Sequence, residues 1–268
     1  MLRVLATSLT LGLLSFTLPA SRPLGATPEP LKVEALTVNN KATALTYAEK
    51  QQAFNAHLKT VYEQAGLQAK GLAYDVFEKA MIGYQNFKQS RLTSARSILT
   101  VIDFTKSSGE KRMWIIDLDA KKVLINTLVA HGRNTGEDKA LKFSNTPNSY
   151  MSSLGFYLTD ATYFGKHGLS LRLQGMDKTY NSNAMARAIV VHGADYATEA
   201  FVKQHGRLGR SLGCPSVPRE ISDEVIAAIK DKTVMYIHGN DSGYTSSFLN
   251  VANAVEAFAL ETANENLS

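Results

Sequence analysis

Cys214 is the only cysteine in the 268-residue chain. It stands in Gly206–Pro218, GRLGRSLGCPSVP, among glycines, prolines and arginines. A single thiol forms no internal disulfide, which leaves it as an intermolecular partner, a reactive group or a small buried hydrophobe. Catalysis by a thiol needs the thiolate, a base to make it and a group that orients the base. It also needs N–H donors aimed at the oxyanion formed when a carbonyl is attacked. Ser211-Leu-Gly-Cys214 meets the last requirement in outline. Gly213 lets the backbone come close to a substrate, and the amides of Gly213 and Cys214 can point at one oxygen. Pro215 and Pro218 fix the exit path. A helix opening near Pro218 would bring a positive dipole end to the sulfur and favour thiolate.

Six histidines could serve as the base: His57, His131, His167, His192, His205 and His238. His57 falls in a helical stretch and reads as a surface residue. His238 ends a strand and reads as structural. His192 is the preferred candidate: it closes the β-run Ala188–Val191 and is followed by Gly193, so its ring can be presented to a neighbouring loop. A zinc site built from His167, His192, His205 and Cys214 is a rival, although the chain has no HxH, HxxxH or CxxC pair.

Several elements must position these groups. Phe54, Leu58, Val61 and Ala65 share a helical face ending at Gly66, and Ala73, Val76, Phe77, Ala80, Met81, Tyr84 and Phe87 mark a second helix. The pattern turns to strands near Ser97. Strands are expected at 98–104, 113–118 and 123–129, the last two joined by a hairpin turn at 119–122, and then at 154–160, 169–174, 187–192 and 233–238. A helix over 218–230 separates the last two of these. Phe248, Val251, Val255 and Phe258 suggest a short amphipathic helix before a polar tail. The fold class is therefore mainly β with flanking helices (α+β), with a helical hairpin at the N-terminal side.

The composition, with 44% hydrophobic and 20% charged residues, is that of an ordinary globular chain and excludes collagen-like, low-complexity and disulfide-scaffold classes. A net charge of +5 without a Lys/Arg block argues against nucleic acid as a partner and suits an anionic polymer such as a cell wall. Met1-Leu-Arg3, the apolar run Val4–Leu18 and small-residue exits ending at Ala20 and Ala26 read as a cleaved secretory leader. The expected location is outside the cytoplasm, in the periplasm or cell envelope, with no membrane span after cleavage. The domain plan is 1–26 leader, 27–95 linker and helical region, 96–240 catalytic domain, and 241–268 C-terminal helix and tail.

"IVVHGADY" followed by "GRSLGCPSV" resembles the His and Ser/Thr-x-Gly-Cys signature of the YkuD-type L,D-transpeptidase catalytic domain. "TLVAHGRNTG" and "SSLGFYLT" match the family's upstream turn and strand in order and spacing, and "YFGKHGLSLRLQG" sits where the family places its substrate lid. The resemblance covers residues 97–240 and looks closest to members with Gly-Cys-Pro after the serine. It implies a YkuD-like β-sandwich or barrel. By the same resemblance Cys214 is the nucleophile, His192 the base and later the acid, and the Gly193 carbonyl the group that orients the imidazole. Gly213 and Cys214 supply the oxyanion amides, and Ser211 supports the loop. The chain departs from the commoner pattern at Leu212, where a second His is usual, and at Pro215-Ser216, where many members have Arg or Asn.

The reaction implied is acyl transfer on peptidoglycan stem tetrapeptides, with loss of D-alanine through a thioester and no cofactor. The acceptor would be a stem-peptide amine, a lysine-bearing lipoprotein, or water. A thiol amidase or endopeptidase of the cell wall and a non-catalytic wall-binding protein are the alternatives. Arg210 leads the candidate carboxylate binders, with Arg207, Arg172 and Arg187 behind it. Tyr163 and His167 are lid candidates, and His131 begins a turn in the same expected cleft.

Overall fold

The computed structural model describes residues 45–265. The expected leader, the linker up to residue 44 and the last three residues lie outside the described residues. Two helices come first, α1 (Tyr47–Gln64) and α2 (Tyr74–Gln89). Helix α1 opens with a capping box, in which the Glu49 N–H donates to Thr46 Oγ1 and the Thr46 N–H to Glu49 Oε2. It ends at Ala65, with Gly66 just beyond in the left-handed region at φ +62°.

Strands β1 (Ile98–Asp103), β2 (Met113–Asp117) and β3 (Lys122–Thr127) follow. Then come the long hairpin β4 (Gly155–Gly165) and β5 (Gly168–Gly175), and β6 (Val190–Ala194). Helix α3 (Glu199–His205), strand β7 (Ser216–Pro218), helix α4 (Ser222–Ile229), strand β8 (Val234–His238) and helix α5 (Val251–Glu265) complete the chain. The strands form one sheet in the order β3-β2-β1-β8-β4-β5-β6-β7. Most neighbours are antiparallel, but β1 with β8 and β6 with β7 run parallel.

The sheet curls until its edges meet. The segment after β3 reaches β7, where the Ala130 N–H donates to Ser216 O (2.8 Å) and the Ser216 N–H to Ala130 O (3.3 Å). The mainly β, barrel-like domain with helices on its flank is thus present. One core fills the inside of the curl, with Ile102, Ile115, Tyr157, Leu171, Val191 and Ile237 among its members. A second lies between the outer face and α1, α2 and α5. In that layer α5 packs on both N-terminal helices and Asn86 Nδ2 donates to the carbonyls of Phe248 (2.7 Å) and Asn250 (3.1 Å).

Four expectations are corrected. The 187–192 strand starts only at Val190, because residues 177–189 are wound into turns, with Ala188 at φ +53°. Strand β7 and helix α3 are additional elements. The helix over 218–230 splits into a short 3-10 turn at Arg219–Ile221 and α4. Phe248 belongs to a 3-10 turn before α5, and Val251 faces outward, 41% exposed. Among the described residues no helix is long and apolar enough to cross a membrane.

Helix α2 sits close to the sheet because Gly83 faces the Phe156 ring, and a Cβ there would lie 2.1 Å from ring carbons. Gly83→Ala is therefore expected to lower unfolding free energy by about 1–3 kcal/mol in a denaturant titration. An unchanged midpoint would contradict this packing.

Candidate active site

Strands β6 and β7 decide the geometry. His192 pairs with Ser216 in parallel register. Cys214 stands in the bend two residues before Ser216, just ahead of the strand that makes this pairing. The thiol and the imidazole line one cleft of about 410 Å³. The same cleft is lined by Ser211, Arg210, Tyr163 and His167.

The imidazole is held from both ends. A carbonyl only accepts, so the contact of His192 Nδ1 with Gly193 O (3.0 Å) puts the proton on Nδ1. Nε2 then carries the lone pair and lies 3.0 Å from Ser216 Oγ. His167, in the β4–β5 turn, stacks on the His192 ring at a centroid distance of 4.2 Å. Arg219 steadies that turn by donating to His167 O (3.3 Å). Burial pushes the His192 pKa down to about 4; the Gly193 bond works the other way, and the charges of His167, Arg219 and Lys166 add to the lowering. The imidazole is neutral at neutral pH.

The Cys214 sulfur accepts from the Val190 N–H (3.5 Å) and donates to Ala188 O (3.6 Å). Burial pushes the thiol pKa up, while the Val190 N–H, Arg187 and Lys166 pull it down by less. Thiol and imidazole are therefore a neutral pair at rest.

The Ser211–Cys214 loop is bound tightly. Ser211 Oγ donates to Cys214 O (2.7 Å) and accepts from the Gly213 N–H (3.0 Å). Ser152 Oγ donates to Gly213 O (3.1 Å). Gly213 is at φ +125°, and a Cβ there would lie 2.8 Å from Met151 O, so no other residue fits without moving the chain. The expected oxyanion pair is corrected in one respect: the Gly213 amide is engaged by Ser211. The helix start expected beside the sulfur lies against Gly193 instead, where a Cβ would meet Ser222 Oγ at 2.6 Å and Arg219 Cα at 3.1 Å.

The arginines and His131 behave differently from expectation. Arg210 lines the cleft but is paired with Glu137 at 2.6 Å. Arg207 pairs with the same carboxylate at 3.0 Å and does not line the cleft. Arg172 lies over the Tyr163 ring, 4.5 Å from its centroid. Arg187 precedes β6, lines the cleft with Cys214 and donates to Ser144 O (2.7 Å) and Met151 O (2.6 Å), which ties down the 144–151 loop. His131 is fully buried and faces away from the cleft. Its Nδ1 accepts from Arg112 Nη2 (2.8 Å) and its Nε2–H donates to Gly136 O (3.2 Å). Burial, with Arg112 next to it, holds its pKa near 4. Ser216 and Tyr196, neither singled out from sequence, join the site, with Tyr196 Oη 3.1 Å from Ser216 Oγ. The register that brings them to His192 is non-local, and no spacing signal announces it.

A neutral resting pair has a kinetic signature. Alkylation of Cys214 by iodoacetamide should be slow at neutral pH and climb steadily into the alkaline range. A fast plateau between about pH 5 and 7 would mean a preformed thiolate–imidazolium pair and contradict this electrostatic picture.

No curated protein matches the chain. Solved structures similar to it include an L,D-transpeptidase from Mycobacterium smegmatis (11% identity, 54% of this chain and 59% of that one, TM-score 0.35). Others are the helical cell shape determining protein from Campylobacter jejuni (11% identity, 70% and 66%, TM-score 0.38) and an L,D-transpeptidase from Stackebrandtia nassauensis (15% identity, 70% and 78%, TM-score 0.32). The chain spans 59% of the length of the M. smegmatis protein. The model of the L,D-transpeptidase catalytic domain matches residues 68–238, a stretch that runs from the end of the first helical region through both cleft motifs to the last strand. That match takes in well over half of the sequence, and the chain belongs to the L,D-transpeptidase catalytic domain family.

Proposed function

We propose that this chain is an exported cysteine acyltransferase acting on peptidoglycan stem tetrapeptides. The observation that carries the reading is the shared cleft of Cys214 and His192, with the imidazole tautomer set by Gly193 O so that Nε2 carries the basic lone pair. Family membership supports the substrate class.

In the first half-reaction the Ser216 hydroxyl turns its proton off His192 Nε2, and the Cys214 proton passes to Nε2 as sulfur attacks the carbonyl between the L-centre of meso-diaminopimelate and the terminal D-alanine. The Cys214 N–H is the amide that meets the oxyanion, and the Gly213 N–H joins only if Ser211 Oγ lets it go. The C–N bond breaks, the imidazolium protonates the departing amine, and a thioester remains. In the second half an amine attacks the thioester, His192 takes its proton, and the thiol is restored. A stem-peptide amine gives a crosslink, a lysine-bearing lipoprotein gives an anchored protein, and water gives L,D-carboxypeptidase action. No step calls on a cofactor. Lys166 and Arg187 bring positive charge to a substrate rich in carboxylates, and Tyr163 and His167 lie over it as a lid.

The test incubates the protein from residue 27 onward, and its Cys214→Ala variant, with disaccharide-tetrapeptide and reads products by mass spectrometry. D-alanine release with dimer formation, lost in the variant, is the expected result. Tripeptide alone would assign carboxypeptidase action, and cleavage of an existing crosslink would assign the endopeptidase alternative. Unchanged tetrapeptide with both proteins would overturn the reading.

A further inference from the structure

We propose that Ser216 and Tyr196 are positioning residues for His192, a chain of two hydroxyls that holds Nε2 through both of its protonation states. The inference rests on the reading of His192 as the base. It follows from the direction in which each hydrogen bond must run.

Gly193 O accepts only, so Nδ1 is the donor and Nε2 has a lone pair. The hydrogen-bond partner of that lone pair is Ser216 Oγ at 3.0 Å, which must give it its one proton. With that proton committed, Tyr196 Oη, 3.1 Å away, must donate to Ser216 Oγ. One backbone carbonyl therefore orders the whole series from Tyr196 through Ser216 to His192.

The arrangement has a second setting. Ser216 Oγ also lies 3.5 Å from Cys214 O. When His192 is protonated, Nε2–H becomes a donor. Ser216 Oγ can then accept from it and turn its own proton to the Cys214 carbonyl, while Tyr196 goes on donating. The hydroxyl so gives the ring a partner before and after proton transfer. A buried nitrogen left without a partner in either state would be penalised by its lost solvation. Ser216 is fully buried and Tyr196 lines the cleft, so the series reaches from the substrate side to the base. Ser170, the cross-strand partner of His192 on β5, also lines the cleft, but its hydroxyl donates to Gly168 O (3.2 Å), and His167, Lys166 and Arg219 carry no hydroxyl.

Ser216→Val and Ser216→Thr have nearly the same shape and differ by the hydroxyl, so their difference isolates its effect. Three readouts apply to the protein labelled with ¹⁵N-histidine. The His192 Nε2 resonance should move downfield in Ser216→Val and stay near its wild-type position in Ser216→Thr. The kcat on the tetrapeptide should fall by about 10-fold or more in Ser216→Val with KM little changed, and recover in Ser216→Thr. Tyr196→Phe should cost less, and its cost should vanish once Ser216 is Val, because Tyr196 acts through Ser216. An Nε2 resonance that ignores the Val substitution, or a Tyr196→Phe loss that persists in full beside it, would overturn the proposal. Should the Val and Thr proteins fail to fold, Ser216→Ala and Tyr196→Phe carry the same resonance test. The resonance needs no substrate, so a tetrapeptide inert with every variant would refute the acyltransferase reading and leave the relay to be judged on Nε2 alone.

Discussion

The site depends on the parallel pairing of β6 with β7. Parallel neighbours cannot be joined by a tight turn and need a long crossover. Here the crossover runs from Ala194 to Ser216 and contains α3 and the whole loop that carries Cys214. The loop thus arrives at the sheet already bearing Cys214, and the register sets Ser216 beside His192. Gly193 makes the arrangement possible in two ways. Its carbonyl fixes the imidazole, and its missing side chain leaves room for Ser222 and Arg219 at the start of the next helical segment. The closing bonds between Ala130 and Ser216 pin the same strand from its other side. β7 is short, and it is held by partners on both edges.

Charge around the thiol is unevenly spent. Glu137 answers Arg207 and Arg210, and Asp195 answers Arg219. Arg187 instead donates to neutral oxygens of the 144–153 loop and keeps its charge for the cleft. Even so, burial dominates at both reacting groups, raising the thiol and lowering the imidazole. Keeping both neutral protects a lone thiol from adventitious chemistry. Charge separation then belongs to the moment when a carbonyl is in place to take the developing negative charge.

The grouping of the cleft residues was legible where residue type and local spacing carry it. The single cysteine after Ser-Leu-Gly and the histidine closing a β-run before glycine do share a cleft. The hairpin of β2 and β3 was visible in its alternation and turn. What was hidden is non-local. Strand β7 has three residues, one of them proline, and carries no strand signal of its own. Helix α3 buries no side chain completely, so it writes no apolar stripe. His131 looked like a cleft residue because it begins a turn after β3, but its ring is taken up by Arg112, which directly precedes β2. Arg207 and Arg210 looked available because they flank the thiol, yet Glu137, far upstream, pairs with both. Ser216 stood in plain view beside the cysteine, and its link to His192 exists only through strand pairing.

The central claim is that Cys214 takes the acyl group with His192 as base. Intact-protein mass spectrometry of the enzyme quenched in acid during turnover of disaccharide-tetrapeptide tests it most directly. The account predicts a mass increase equal to the disaccharide-tripeptide acyl group, mapped by digestion to the peptide carrying Cys214 and strongly reduced in His192→Ala. Product formation with no adduct, or an adduct on another residue, would contradict it.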